Sequence, residues 1–388
     1  NRVFDYKFLH LQENQFRNIE NTLHYGQFMS KLNQLCEDHS GSIDIVHIGD
    51  SHMQAGFYSN RIRLNLQQTF TTDTNPNLGF VFPYSAAQTN NPGNYTVSHT
   101  GAWEYCKAVD NQPGCSLGLS GITLTTEDTS ASIRIHLRDY FPFLRYTIMN
   151  AGIFCQYPGN VYRMTLNGKE VPPPGDSGRV RVTFEQPTDT LVLKVKRKNS
   201  ATSAVFSLSG LVLKSKEKGV NYHAIGVNGA KAESYLRCHH LPAQLKQLNP
   251  DLVILSLGTN EAYNRQFCEA GFYDNLSRLV QTIRNNTDNT AILLTTPGDA
   301  LHEGKYDNPH NSRARDVTMQ VARQQKCAWW DFYRVMGGDN AILDWYLHDL
   351  TAKDKLHLNK TGYQLKADLF FEALWKSFEA FRSKKDIN

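Results

Sequence analysis

The sequence lacks the patterns that point to a membrane or to nucleic acid. It contains no run of about 18 apolar residues, so it predicts no membrane span. Its formal net charge is only +4 over 388 residues, and basic residues are interspersed with acidic ones rather than gathered into one block. We therefore expect no nucleic-acid partner.

Metal and redox motifs are missing as well. The 14 histidines include no HExxH pattern, and the seven cysteines include no CxxC pair, so we expect neither a metal ion nor another cofactor. Cys106 and Cys115 are close enough in sequence to bridge a loop in an oxidising compartment. The alternative, that all seven cysteines are free and mostly buried, is equally compatible with the sequence.

Length and composition leave room for two structural units. A hydrophobic fraction of 40% with 20% charged residues is typical of a globular protein, and 388 residues can form two domains or one domain carrying an insertion. The chain begins at Asn1 without an initiator methionine and without the apolar segment of a signal peptide. We interpret this start as that of a processed or trimmed chain, so export is neither indicated nor excluded.

A predicted strand near the N-terminus ends in a Gly-Asp-Ser-His sequence. Ile43, Ile45, Val46 and Ile48 form a short apolar, β-branched run, as in a buried parallel strand, and this run ends abruptly at Gly49-Asp50-Ser51-His52. If residues 58–70 form the next helix, Ser51 lies near a helix amino end, where free N–H groups favour developing negative charge. Ser51 is then either a nucleophile or an ordinary capping serine.

Between about Gly79 and Lys218 the helical period gives way to short alternating strands. Residues 133–137, 180–184 and 191–195 alternate apolar with polar side chains, and Asn167-Gly168 is a hairpin signal. We predict an antiparallel, jelly-roll-like β-sandwich at residues 81–218, inserted into an α/β domain formed by residues 1–80 and 219–388. Several aromatic residues there either stack on sugar rings or pack in the core: Trp103, Tyr105, Tyr140, Phe141, Phe143, Tyr157 and Tyr162.

The α/β rhythm resumes at Tyr222. Further strands are predicted at residues 222–227, 251–257, 291–296 and 328–332, and helices at residues 25–36, 232–248 with a break at Pro242, 273–285, 313–325 and 360–383. Residues 1–21 are predicted to be an extended lead-in. The fold class is therefore α/β, a flavodoxin-like three-layer arrangement with a parallel sheet and the inserted sandwich.

Four breaks in the α/β part carry residues suited to serine hydrolysis. They contribute Ser51, Gly229, Asn260, and Asp354 with His357. Since open α/β folds place their sites at the carboxyl ends of the strands, we expect these residues to meet there. Serine, histidine and aspartate can act as nucleophile, base and orienting carboxylate. The N–H groups of Ser51 and Gly229 and the Asn260 amide are candidate oxyanion donors.

These strings resemble the SGNH (GDSL-like) hydrolase family. The matches are GDSH at residues 49–52, GVNGA at 226–230, LGTNE at 257–261 and DKLH at 354–357, in the family's order. The resemblance covers about 250 residues in two segments. Because GDSH stands where GDSL is usual and a β-domain follows it, the chain looks like the branch that contains peptidoglycan O-acetylesterases, whose inserted domain resembles a carbohydrate-binding module. That resemblance implies export to the periplasm or cell surface.

Each residue also has a structural explanation of its own. Gly229 is also explained by a turn that needs positive φ, Asn260 by helix capping, and Asp354 with His357 by a surface pair. His52, Gln54 and Glu261 lie beside the motifs and are candidates for substrate contact. Our leading hypothesis is a serine esterase that removes acetyl or another short acyl group from a carbohydrate. The alternatives are a lipid or thioester acylhydrolase and a non-catalytic glycan-binding protein.

Overall fold

The computed structural model describes residues 6–71, 76–141, 144–175, 178–198 and 204–387. Phe143, one of the aromatic residues named above, lies outside them. The strands are β1 (Phe16–Arg17), β2 (Ser42–Gly49), β3 (Gly79–Val81), β4 (Tyr95–Thr100), β5 (Glu104–Lys107), β6 (Ile122–Thr126), β7 (Ser130–Leu137), β8 (Ile148–Gln156), β9 (Tyr162–Leu166), β10 (Lys169–Val171), β11 (Arg179–Thr188), β12 (Thr190–Arg197), β13 (Phe206–Lys214), β14 (Gly219–Gly226), β15 (Leu252–Ser256), β16 (Ala291–Thr295) and β17 (Ala328–Trp330).

Helices cover both faces of one of the sheets. They are α1 (Tyr25–Asp38), α2 (Ser51–Gln54), α3 (Phe57–Phe70), α4 (Ala232–Leu236), α5 (Leu241–Leu248), α6 (Thr259–Ala262), α7 (Glu269–Asn285), α8 (His310–Gln324), α9 (Phe332–Val335), α10 (Ala341–Leu347) and α11 (Lys360–Ile387). Short 3₁₀ turns lie at Leu11–Glu13, Ile19–Asn21 and Tyr84–Ala87. No helix among the described residues is long and apolar enough to cross a membrane.

The central sheet has the strand order β1-β17-β16-β15-β2-β14. The last five strands are parallel, and β1 joins the edge antiparallel to β17. Alternate residues of β2 belong to two hydrophobic cores, with Ile43 and Ile45 in one and Val46 and Ile48 in the other. Because both faces of the sheet are covered, most side chains of its strands are buried and apolar. The α/β fold class is confirmed.

The lead-in segment contributes more than the sequence indicated. Phe16 pairs with Trp330 and Arg17 with Trp329 in the β1 strand, and the Asn14 amide donates to the Leu369 carbonyl and accepts from the Trp330 indole N–H. Two paired residues are too few to produce an alternating pattern, so the strand could not be predicted from the sequence. The segment ties the edge of the sheet to helix α11.

The chain between β3 and β14 forms antiparallel sheets. One has the order β10-β9-β12-β7-β4, and the other has β11-β8-β13-β6-β5 with β3 paired to β13. Their inner faces share a hydrophobic core that is continuous with one face of the parallel sheet. The Asn167-Gly168 turn joins β9 to β10, and both residues have positive φ, at 47° and 81°. The antiparallel sheets and the hairpin that the sequence predicts are therefore confirmed.

Most of the aromatic residues in this unit pack against other protein groups. Trp103, Tyr157 and Tyr162 all have ring contacts with the buried Phe206, at centroid separations of 6.2, 5.2 and 6.3 Å. Tyr162 is itself fully buried, while Tyr105 is 37% exposed. The packing explanation therefore holds for this cluster, and Tyr105 remains accessible to a ligand.

Cys106 and Cys115 form a disulfide, with their Cα atoms 6.1 Å apart. Cys106 lies in β5 and its side chain is buried, whereas Cys115 lies in the loop before β6. The other five cysteines are free. A disulfide persists in an oxidising compartment, which is one of the two possibilities that the sequence left open.

Removal of this disulfide is expected to destabilise the protein measurably. Opening a loop of this length restores unfolded-state entropy worth about 3 kcal/mol. We expect the Cys106→Ala/Cys115→Ala variant to unfold a few degrees below the parent in a thermal melt without reductant. Cys268→Ser, which alters an exposed free thiol, is the control. Equal melting temperatures for parent and double variant would contradict the prediction.

Candidate active site

Three neighbouring strands bring the first three motifs together. The order β15-β2-β14 means that these strands end side by side at one edge of the sheet. Ser51 opens α2 directly after β2, Gly229 follows β14, and Asn260 lies in α6 after β15. Parallel strands give this convergence automatically, because their carboxyl ends share an edge.

Asp354 and His357 reach the same edge from the far end of the sequence. His357 Nε2 lies 2.9 Å from Ser51 Oγ, across a sequence separation of 306 residues. His357 Nδ1 lies 2.7 Å from Asp354 Oδ2. The His357 and Asp354 side chains are 35% and 49% exposed. A hydroxyl, an imidazole and a carboxylate are thus joined by two hydrogen bonds at an open surface.

The loop before α11 fixes the imidazole. Thr351 pairs with Leu358 in an isolated bridge, and the Ala352 N–H donates to the His357 carbonyl at 2.8 Å. Asp354 Oδ1 accepts from the backbone N–H groups of Leu356 and His357, both at 3.0 Å. Partial burial tends to raise the pKa of Asp354, but these bonds and the His357 ring hold it below its usual value. Asp354 is therefore an ionised acceptor at neutral pH.

Asp50 is the buried carboxyl beneath the serine. It caps α2, and its Oδ1 accepts from the His52 N–H at 3.0 Å. Burial raises the pKa of Asp50 to about 6, although the His52 bond and the Lys366 ammonium lower it. Its Oδ2 accepts from Asn260 Nδ2 at 3.2 Å. Asp50 therefore links the serine turn to the asparagine turn on the neighbouring strand.

Asn260 and Gly229 both follow strands that neighbour β2. The side-chain amide of Asn260 is already hydrogen-bonded within the protein, whereas Gly229 is distinguished by its backbone conformation. The Asn260 amide nitrogen also donates to the Ala230 carbonyl at 3.0 Å, so both of its protons have acceptors within the protein. Gly229 has φ +80°, and a Cβ there would meet nothing nearer than Val109 Cγ1 at 4.0 Å. A side chain would fit at this position, so the positive φ is the reason for the glycine.

The three candidate substrate contacts are engaged within the protein to different extents. His52 Nδ1 lies 2.8 Å from the Tyr363 hydroxyl, and its ring centroid is 5.2 Å from that of His357. Burial and the Lys366 charge keep the pKa of His52 well below its usual value, so the ring is neutral. Gln54 is 2% exposed and joins two loops, because its amide accepts from the Asn228 N–H at 2.8 Å and donates to Thr89 and Asn90.

Glu261 is the third of these candidates. Its Oε1 accepts from the Ala232 N–H at 2.7 Å, at the start of α4, while its Oε2 is buried with no hydrogen-bond partner among the described residues. Burial raises the pKa of Glu261 to about 7, with a further contribution from Asp50. This carboxyl joins the segment after Gly229 to the turn that carries Asn260. Substrate contact by His52, Gln54 and Glu261 stays a prediction.

Two residues of α11 belong to the site but carry no sequence signal. Tyr363 bonds His52, as described above. The ammonium of Lys366 lies 4.3 Å from the Phe332 ring centroid and 5.0 Å from that of Tyr58, and burial lowers its pKa to about 8. In the sequence both residues fit an ordinary amphipathic helix. Only the contact of α11 with α2 and α3 identifies them.

Comparison with protein families found a match over part of the chain. Residues 207–365 match the GDSL-like Lipase/Acylhydrolase family. The matched range contains Gly229, Asn260, Asp354 and His357, and Ser51 precedes it. The resemblance predicted from the sequence is confirmed, and the match supports a hydrolytic enzyme acting on acyl groups. A comparison with curated proteins found no match.

Solved structures extend the similarity to nearly the whole chain. A structure described as a peptidoglycan O-acetylesterase in action has a TM-score of 0.76 at 22% identity, covering 91% of this chain and 96% of its own. An acetylxylan esterase from Geobacillus stearothermophilus gives a TM-score of 0.32 at 19% identity, covering 40% and 73%. A salicylyl-acyltransferase from a tetracycline biosynthetic pathway gives 0.32 at 15% identity, covering 72% and 97%. The first of these shares the fold, including the additional β-sheets.

Proposed function

We propose that this protein is a serine esterase that hydrolyses acetyl or other short acyl esters on a carbohydrate. The observation that carries the proposal is the hydrogen-bonded series from Ser51 Oγ through His357 to Asp354, at 2.9 and 2.7 Å. Both distances are those of a nucleophile, its base and the group that orients the base. The family match of residues 207–365 supports the same chemistry.

In the first half-reaction Ser51 Oγ attacks the acyl carbonyl carbon. His357 Nε2 takes the hydroxyl proton, and Asp354 stabilises the resulting imidazolium through Nδ1–H. When the tetrahedral intermediate collapses, the carbon–oxygen bond to the sugar breaks and the sugar oxygen takes the proton from Nε2. A water molecule then attacks the acyl-serine with His357 again as base, which releases the carboxylic acid and restores Ser51.

The negative charge on the intermediate needs donors, for which we propose the N–H groups of Ser51 and Gly229 and the Asn260 amide. Ser51 is the first residue of α2, so its N–H has no acceptor within the helix. The Asn260 amide donates to Asp50 at 3.2 Å, the longer of its two bonds. We propose that the oxyanion replaces Asp50 as its acceptor, because a contact of 3.2 Å is long for a bond to a carboxylate and a closer oxyanion would form the stronger bond.

Substitution of Asn260 with alanine is expected to lower kcat by about 10²- to 10³-fold, since one oxyanion donor contributes on the order of 3 kcal/mol. KM for an aryl acetate should change little, because the charge develops only in the transition state. The measurement is steady-state hydrolysis with a thermal melt to verify folding. Asn264→Ala, at an exposed position nearby, is the control. A kcat within threefold of the parent would argue against this role.

The open surface around His357 and Asp354 favours a short acyl group on a bulky alcohol. Side chains that are 35% and 49% exposed can be approached by an ester on a large polymer, whereas a long acyl chain gains most from a deep apolar site. We propose peptidoglycan as the first glycan to test, since a protein of similar fold is described as acting on it. Export to the periplasm or cell surface is supported by the Cys106–Cys115 disulfide.

We also propose the division into an esterase domain of residues 1–80 and 219–388 and a glycan-binding unit of residues 81–218. The antiparallel sheets between β3 and β14 support it. Strand β3, at the proposed boundary, pairs with β13 and so belongs to the inserted unit by its hydrogen bonds.

Acetate release from O-acetylated peptidoglycan, O-acetylated xylan and an aryl acetate tests the proposed function, with the Ser51→Ala protein as blank. We expect Ser51-dependent release from at least one glycan, and a rate on acetyl esters well above that on octanoyl esters. A preference for octanoyl esters or thioesters would favour a lipid or thioester acylhydrolase. Polysaccharide binding without any hydrolysis would identify a glycan-binding protein instead.

A further inference from the structure

A hairpin loop at residues 302–306 packs against the loop that carries Asp354. Its two end residues pair through backbone hydrogen bonds of 2.7 and 3.0 Å. Gly304 lies so close to the Asp354 loop that a Cβ there would be 3.1 Å from the Asp354 carbonyl oxygen. The Lys355 ammonium donates to the Gly304 carbonyl at 3.1 Å, and the Lys355 carbonyl accepts from the Leu301 N–H at 3.0 Å. The hairpin is therefore fixed beside the proposed catalytic imidazole.

The same hairpin contacts the segment that follows Asn260. The Glu303 N–H donates to the Tyr263 hydroxyl at 3.1 Å. The rings of His302 and Tyr263 are stacked, with centroids 4.7 Å apart and planes 14° from parallel. Because Tyr263 lies three residues after Asn260, the hairpin joins two of the segments that meet at the Ser51 edge of the sheet. A side chain that this doubly held hairpin presents to solvent loses little entropy when it binds a ligand.

Two exposed tyrosines border this contact. Tyr306, the last residue of the hairpin, is 61% exposed, and Tyr346 in α10 is 44% exposed. Among the described residues neither hydroxyl has a hydrogen-bond partner, and neither ring contacts another aromatic ring. The Lys355 ammonium lies 4.5 Å from the Tyr346 ring centroid. Lys355, which stands between Asp354 and His357 in the sequence, thus contacts one tyrosine directly and the hairpin of the other.

The chemistry of these tyrosines matches that of a carbohydrate chain. A pyranose ring has an apolar C–H face and hydroxyl groups around its edge, and tyrosine offers an apolar ring face with a hydroxyl at its tip. A polymer whose ester reaches Ser51 extends over the surrounding rim, and the two rings belong to the part of that rim beside Asp354. Grouped exposed rings at such a place indicate a binding surface, whereas exposed apolar side chains scattered singly do not.

We propose that Tyr306 and Tyr346 form a sugar-binding subsite, which holds the part of a glycan chain that lies next to the esterified sugar. The inference rests on the proposed esterase function and adds to it the class of substrate. That class is an O-acylated polysaccharide chain that spans several sugar units, rather than an acylated monosaccharide. Ring contacts on a fixed hairpin position the chain, while Ser51 and His357 act on its ester.

Hydrolysis of O-acetylated peptidoglycan, O-acetylated xylan and an aryl acetate by the whole chain tests the proposal. The aryl acetate has no sugar chain to occupy the subsite. Each ring contact is expected to contribute a factor of about three to ten. The Tyr306→Ala/Tyr346→Ala protein should therefore show at least about a tenfold lower ratio of kcat/KM on the preferred glycan to kcat/KM on the aryl acetate. Leu347→Ala is the matched control, because Leu347 follows Tyr346 in α10 and is 77% exposed. It should keep the parent ratio.

Equilibrium binding of the two glycans to the Ser51→Ala protein, with and without the tyrosine substitutions, separates the subsite from catalysis. The substitutions should weaken binding of the preferred glycan at least about tenfold. If the aryl acetate shows no Ser51-dependent hydrolysis, the esterase function fails and binding alone decides on the subsite. The subsite is overturned if the parent acts on neither glycan and the Ser51→Ala protein binds neither. It is also overturned if the double tyrosine variant keeps the parent ratio or affinity, or if Leu347→Ala loses as much.

Discussion

The Ser51→Ala protein is expected to hydrolyse an aryl acetate at least about 10⁴-fold more slowly than the parent, in kcat. The substitution removes the hydroxyl that attacks the acyl carbon. It also removes the proton that His357 Nε2, 2.9 Å from Ser51 Oγ in the parent, would accept. Residual hydrolysis should come only from the oxyanion donors and from substrate binding. Single-turnover measurement with an acetyl ester should also find no acyl-enzyme in the variant.

The control for this variant is Ser277→Ala. Ser277 lies in α7, and its hydroxyl is buried with no hydrogen-bond partner among the described residues, so its loss removes an oxygen without breaking a bond. Its kcat should stay within a factor of two of the parent value. If Ser51→Ala retained more than a tenth of the parent rate while Ser277→Ala was unchanged, Ser51 would not be the nucleophile.

The meeting of Ser51, Asn260 and Gly229 could be predicted because it depends on only one property of the chain. Each residue follows an apolar strand, and parallel strands end at one edge. The pairing of Ser51 with His357 needed more, since no local pattern brings residues separated by 306 positions together. There the prediction rested on the residue types and on the order of the motifs.

The hydrogen-bonding state of the site residues could not be predicted in the same way. The sequence marks Asn260 as a candidate oxyanion donor but does not show that its amide bonds Asp50 and Ala230, or that Gln54 is enclosed by the loops that it joins. These bonds depend on the exact distance between neighbouring turns. A sequence motif does not define that distance closely enough to predict a hydrogen bond. Tyr363 was missed for a related reason, because it acts across the space between two helices.

The buried charged residues around Ser51 determine the protonation states of the side chains near it. Asp50, with a pKa of about 6, and Lys366, with a pKa of about 8, are both removed from water beneath the serine turn. Each stabilises the ionised form of the other, and burial together with the lysine charge lowers the pKa of His52 and keeps its ring neutral. A neutral His52 beside His357 avoids repulsion when His357 becomes an imidazolium. The surroundings thus favour the charge state that the proposed mechanism requires.

Substitution of Asp354 with asparagine is expected to lower kcat by about 10³- to 10⁴-fold while leaving the fold intact. Asparagine can keep its oxygen on the two backbone N–H groups that Asp354 Oδ1 now bonds. Its amide nitrogen then faces His357 Nδ1, where the carboxylate oxygen lay at 2.7 Å. Two donors cannot share that contact, so the ring must place its proton on Nε2 instead. That proton points at Ser51 Oγ, and the imidazole can no longer act as its base.

The measurement is steady-state hydrolysis together with a thermal melt, and Asp349→Asn is the matched control. Asp349 is an exposed residue of the same loop region with φ +54°, a conformation that asparagine tolerates. The control should retain the parent kcat, and both variants should melt close to the parent. If Asp354→Asn retained the parent kcat, the carboxylate would be a surface partner of His357 and the tautomer argument would be wrong. A fall in melting temperature equal in the two variants would not alter that conclusion, because kcat is compared on folded protein.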